Sequence, residues 1–107
     1  MNKEAIGVEN LQELLTRGPF NRWLDFTVLS VNEKGIEVEV TWREEWVVNP
    51  EQRYTHGGIL AAIIDTAADY AIAATIGRPV PTISIRVDYH KAAKPGNLKA
   101  RANVVRL

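Results

Sequence analysis

Hydrophobic positions along the chain follow two periods. In VENLQELLTRG, Leu11, Leu14 and Leu15 recur at helical spacing before Gly18-Pro19, which predicts a short amphipathic helix. FTVLSVNEKGIEVEVTWREEWVV then alternates: Val38, Val40 and Trp42 share one face, Glu37, Glu39 and Thr41 the other, and NEKG reads as the turn between two strands. VNPEQRYT is a loop opened by Asn49-Pro50. A long run from about Gly57 to Ile76 is apolar nearly all round and ends at Gly77-Arg78-Pro79, as a helix ends. PTISIRVDYHKA alternates again, with Ile83, Ile85, Val87 and Tyr89 on one side; KPGN makes a turn and LKARANVVRL a last alternating strand. Strands grouped on either side of one apolar helix predict a single α+β domain over residues 1–107, an antiparallel sheet wrapped around a central helix.

The central helix carries two carboxylates, Asp65 and Asp69, and an unpaired carboxylate inside an apolar setting is costly. Asp65 stands seven residues after Gly58, almost two turns, so both share a face roughly 10 Å apart along the axis. Asp69 lies one turn further along that side. The first turn of a helix offers unpaired N–H groups and a positive dipole end, which suit a developing oxyanion. Gly57 and Gly58 let a substrate approach those amides closely. A carboxylate nearby can serve as general base or nucleophile. Donor and carboxylate must both reach one reacting centre within about 3 Å, which one helix does not allow. Two antiparallel copies about a two-fold axis do, each helix start facing the other copy's Asp65. Each residue also has a plainer reading. Asp65 faces solvent or pairs with an arginine such as Arg86, Asp69 is solvated or tyrosine-bonded, and His56 is a cap or loop hydrogen-bonder.

Composition narrows the classes. With 46% apolar and 24% charged residues the chain is ordinary globular material. Thirteen basic residues balance thirteen acidic ones, which argues against a nucleic-acid surface. There are no cysteines and only two histidines, so neither a disulfide nor a histidine-based metal site is expected. The opening MNKEAIGVENLQELL is interrupted by Glu4, Glu9, Asn10 and Glu13 and lacks the apolar core of a signal peptide. The two aspartates make the long helix a poor membrane span. The expectation is a soluble cytoplasmic protein with no membrane partner.

HGGILAAIIDTA followed by TISIRVDYHKAAKPGNLKARANVV resembles the hotdog-fold thioesterases of the phenylacetate-degradation type. That family shows a His-Gly-Gly, a carboxylate nine residues after the His, and a strand ending in Tyr before a Pro-Gly turn; here these are His56, Gly57, Gly58, Asp65, Tyr89, Pro95 and Gly96. The likeness runs from about Phe20 to the C-terminus. It implies a hotdog fold, homodimers or homotetramers, and hydrolysis of acyl-CoA thioesters, with coenzyme A entering as part of the substrate and no separate cofactor. By the same resemblance Asp65 activates water or attacks the carbonyl, Gly57 N–H polarises the carbonyl oxygen, Thr82 helps hold the water, and His56 shapes the site.

Relatives often place an asparagine six residues before the His; here that position is Pro50, with Asn49 as the candidate substitute. His90-Lys91-Ala92 stands where many relatives have Leu-Arg-Pro. The family continues for two strands beyond ARANVVRL, and the sequence stops at Leu107. Arg53, Lys91 and Lys94 are candidates for coenzyme phosphates or are plain surface charges, and Ile59, Leu60, Ile63 and Tyr70 are candidate acyl-pocket walls. The rival reading is a non-catalytic hotdog module that binds acyl-CoA or only assembles with itself. A hotdog hydratase is disfavoured because no Asp with a following His-Pro-x-His is found.

Overall fold

The structure, a computed structural model, describes residues 6–107, so the part of the leader reading that rests on Glu4 lies outside it. Two short helices, α1 (Val8–Leu15) and α2 (Pro19–Leu24), precede strands β1 (Phe26–Val31) and β2 (Gly35–Val40). A 3₁₀ turn at Glu44–Trp46 leads to the long helix α3 (Gly57–Ile76), and β3 (Leu98–Asn103) closes the chain's regular structure. The strands form one antiparallel sheet in the order β1-β2-β3.

The hairpin forms as its turn residues dictate. Asn32 Oδ1 accepts from the N–H groups of Lys34 and Gly35 at 2.8 and 3.1 Å, closing the turn through its own side chain. Ser30 and Val31 pair one step out of register with Phe26–Val28, a bulge in β1. Gly35 opens β2 because a Cβ there would overlap the Ala102 carbonyl of the neighbouring strand. The inner face of the sheet presents Phe26, Val28, Ile36, Val38 and Val40, all buried, with Leu98, Ala100 and Ala102 half-buried beside them. Against this face α3 lays Ile63, Ala67, Ala71 and Ala74, a stripe at steps of four and three whose small side chains let helix and sheet approach closely. Leu11 and Leu15 of α1 and Leu24 of α2 complete the core. Although α3 has the length and composition of a membrane span, its buried stripe is the surface that packs the sheet.

Several sequence-based expectations need correction. The stop at Gly18-Pro19 also starts a helix, since proline fits the first helical position, where the N–H has no intrahelical partner. The alternation through TWREEWVV does not prolong β2: the chain turns out of the sheet after Val40 and buries Trp46 through the 3₁₀ turn. The last strand ends at Asn103, with Val105 and Leu107 exposed. The largest change concerns PTISIRVDYHKA, which runs without regular secondary structure alongside α3 and joins no strand ladder. Hydrogen bonds to Asp65, Asp69 and the Gly57 carbonyl of α3 hold it against the helix, and no strand pairs with its backbone. Ile83, Ile85 and Tyr89 are accordingly exposed and only Val87 is partly covered.

Candidate active site

The start of α3 is set by His56. Its Nδ1 accepts from Gly58 N–H at 2.7 Å, so the imidazole acts as the helix N-cap and carries its proton on Nε2. Its own backbone N–H donates to the Trp46 carbonyl at 2.8 Å, anchoring the helix start to the 3₁₀ turn. The plain reading of His56 as a cap therefore holds. A Cβ on Gly58 would lie 3.0 Å from His56 Cε1 and Nδ1, so this glycine is what lets the imidazole fold back. Gly57 N–H makes no hydrogen bond among the described residues and stands free at the helix N-terminus.

Two turns along, Asp65 is half-buried and its Oδ1 accepts from the Thr82 hydroxyl at 2.6 Å. One turn further, Asp69 Oδ1 accepts from Val80 N–H at 2.8 Å. These two carboxylates hold the segment after α3 against the helix and line, with Ile72, Val80, Thr82 and Ile85, an open groove of about 350 Å³. Burial, with the nearby negative charge of Asp65 adding to it, pushes Asp69 above the usual aspartate range against the opposing effect of Val80 N–H. Asp65 does not pair with Arg86, which lies near Asp88 at 3.4 Å, and Asp69 bonds the Val80 backbone and no tyrosine; both aspartates remain partly exposed, as their solvated readings have it.

The structure thus brings Asp65 to Thr82, and His56 to Gly57 and Gly58, as two separate clusters on one helix. The other candidates are scattered. Asn49 Oδ1 accepts from Glu51 and Gln52 N–H at 2.9 and 2.8 Å, so the side-chain oxygen is committed to its own loop turn. Arg53 meets Glu44 through two hydrogen bonds of 2.7 and 2.8 Å and lies over the Trp42 ring at 5.7 Å, an arginine already occupied. Leu60 and Lys91 share a second groove of about 210 Å³ with Ile63, Ile64, Val87 and His90. Ile59 packs on the core. Lys94 is exposed in the loop before β3. Tyr70 does not wall the Asp65 groove: it packs on the core near Asn21 and Arg17, and burial pushes its phenol upward. Five residues on a helix turn it about 140° away from Asp65. Tyr89, a motif residue to which the sequence assigns no role, donates its hydroxyl to the Gly57 carbonyl at 2.8 Å.

An antiparallel sheet laid over one long helix is the architecture of the hotdog fold. Residues 52–107 match the family described as the thioesterase superfamily, and the chain belongs to it. A solved structure of a protein from that superfamily is 50% identical, with a TM-score of 0.83 over 86% of this chain and 70% of the other. Thioesterase superfamily member 2 of Mus musculus, at 23% identity and a TM-score of 0.77, covers 94% of this chain and 74% of its own and shares the fold. A Halobacterium salinarum protein provisionally named an esterase is 40% identical over 62 residues, a match spanning 54% of this chain and 40% of that relative's length.

Proposed function

We propose that this protein hydrolyses acyl-CoA thioesters to the free acid and coenzyme A, in a site shared between two copies of the chain. The observation that carries the reading is the pair of clusters on α3: an unpartnered Gly57 N–H at the helix start, and Asp65 two turns away with a hydroxyl on one oxygen. Within one chain they lie about 10 Å or more apart along the axis, too far to act on one carbonyl. Antiparallel apposition of two α3 helices brings Gly57 of one copy to Asp65 of the other. Membership of the thioesterase superfamily supports the chemistry.

In this reading the thioester carbonyl oxygen accepts from Gly57 N–H, where the helix dipole favours the negative charge that develops on attack. Asp65 takes a proton from the attacking water, the C–S bond breaks, and that proton passes to the departing sulfur so that coenzyme A leaves as the thiol. Alternatively Asp65 attacks the carbonyl and expels the thiolate, which solvent protonates, and water then hydrolyses the acyl–Asp65 anhydride to the acid and free Asp65. Thr82 donates to one oxygen of Asp65, which leaves the other to face the water. Exposed Ile83, Ile85 and Tyr89 give the second copy an apolar surface to cover. Lys91, and Lys94 in the loop before β3, form no ion pair among the described residues and are the cations offered to coenzyme phosphates. Arg53 contributes only if it leaves Glu44.

The test is thiol release from a panel of acyl-CoAs by the intact protein and by Asp65→Asn, with solution mass measured on both. The variant is expected to lose at least about 100-fold in rate while remaining an even oligomer. Equal rates in the two proteins would remove Asp65 from the reaction, and a strict monomer would end the shared-site mechanism. Binding of acyl-CoA without any thiol release would favour the non-catalytic module.

A further inference from the structure

The thioesterase reading leaves one polar contact at the helix start without a role, the 2.8 Å hydrogen bond from the Tyr89 hydroxyl to the Gly57 carbonyl. Resting on that reading, we propose that Tyr89 is a positioning residue: with His56 it clamps the Gly57–Gly58 peptide from both ends, leaving Gly57 N–H as the one free donor.

The backbone groups around the two glycines can be followed one by one. His56 N–H donates to Trp46 O at 2.8 Å, and His56 C=O accepts from Ile59 and Leu60 N–H at 3.0 and 3.3 Å. Gly57 C=O accepts from Tyr89, and Gly58 N–H donates to His56 Nδ1. Only Gly57 N–H remains. Because a peptide unit is planar, holding His56 C=O fixes the direction of Gly57 N–H on its opposite side.

Two successive glycines are the freest dihedrals in the chain, so this geometry needs external restraint. The Gly57 carbonyl and the Gly58 N–H belong to one peptide. A hydrogen bond accepted at its oxygen polarises that unit and strengthens the bond its N–H gives to His56. Tyr89 therefore reinforces the cap from 32 residues away. The imidazole is kept folded onto Gly58, clear of the Gly57 amide. The ring adds a wall: a Cβ at Gly57 would lie 3.6 Å from its Cε1, Cζ and Oη, ordinary contact distance, so the aromatic edge covers the glycine without crowding it. Tyr89 is 55% exposed in the single chain, so the effect is expected in rate and amide geometry more than in stability.

The experiment uses Tyr89→Phe in the full-length protein, which keeps the ring and removes the hydroxyl. Steady-state thioester kinetics should show kcat down about tenfold with KM within twofold, roughly the loss of 1.4 kcal/mol in the transition state alone. In amide NMR spectra, the Gly58 proton of the variant should move upfield as its bond to His56 weakens. In the wild type Gly58 N–H should exchange slowly with solvent and Gly57 N–H fast. An unchanged kcat, a fall in kcat without movement of the Gly58 amide, or fast wild-type exchange at Gly58 would each overturn the clamp. Asp65→Asn is assayed alongside. Retention of full rate there would overturn the thioesterase reading, and the amide data would then decide the clamp by themselves.

Discussion

Replacing Gly57 by alanine should make the protein more stable and less active at once. Gly57 lies outside the left-handed backbone region, so alanine fits its conformation. The new methyl would meet Tyr89 at 3.6 Å, ordinary van der Waals contact. With no strain in the folded state, the dominant effect is loss of freedom in the unfolded chain, about 0.4–1 kcal/mol in favour of folding. For a domain of this size that corresponds to a rise in Tm of about 2–8 °C. The same methyl stands beside the free amide, so an approaching carbonyl oxygen is held off, and loss of one such donor costs about 100-fold or more in kcat. Gly58→Ala is the control. Its methyl would sit 3.0 Å from the His56 ring, so the imidazole must give by a few tenths of an ångström and the cap bond weakens, which offsets part of the gain and raises Tm less than Gly57→Ala does. Differential scanning calorimetry and thiol-release kinetics on the two variants check both arms. A fully active Gly57→Ala would refute the assignment of this amide, and one destabilised by more than about 1 kcal/mol would refute the packing argument.

Gly35→Ala is expected to destabilise by at least about 1–3 kcal/mol, because the methyl meets strand backbone, which cannot yield as a side chain can; denaturant melts, with hydrogen exchange showing the loss concentrated at Ala102 and Asn103, would check it. Asp69→Asn should raise the melting temperature at neutral pH. The folded carboxyl lies above the ordinary aspartate value of 3.8, so the charged form costs stability once pH rises through that raised value, and the cost vanishes below 3.8, where both states are protonated. Thermal melts from neutral pH down to about pH 3 should therefore show the variant's advantage shrink to nothing, and a constant advantage would contradict the linkage.

What the sequence makes legible depends on the range of the interactions involved. The bounds of α3 are written locally in Gly57-Gly58 and in Gly77, whose φ of +87° is a glycine conformation. The hairpin is written in NEKG and its alternating flanks. Asp65 is singled out by its helix spacing from Gly58 and Thr82 by the family resemblance, whereas the hydrogen bond that joins them appears only in the fold; the cap role of His56 is among its plain readings. Tyr70 was decidable from helix geometry, since five residues carry it round to the core. The contact of Tyr89 with Gly57 joins two segments through a fold the sequence does not display. Alternation in TISIRVDY shows that the segment can be a strand, whereas pairing depends on a neighbour that periodicity does not supply.

The order β1-β2-β3 also bears on how the chain folds. In the β1-β2 hairpin, Val31 pairs with Ile36 five positions away. In the β2-β3 ladder, Val40 pairs with Leu98 across 58 positions that include the whole of α3. Closing the longer loop costs about 2 kcal/mol more in chain entropy. The hairpin and the helix can therefore condense before β3 arrives, and the final strand docks onto a surface the others have already built. Since β3 adds only half-buried Leu98, Ala100 and Ala102 to that surface, while edge strand β1 brings buried Phe26 and Val28, hydrogen exchange should find β3 the first strand to open.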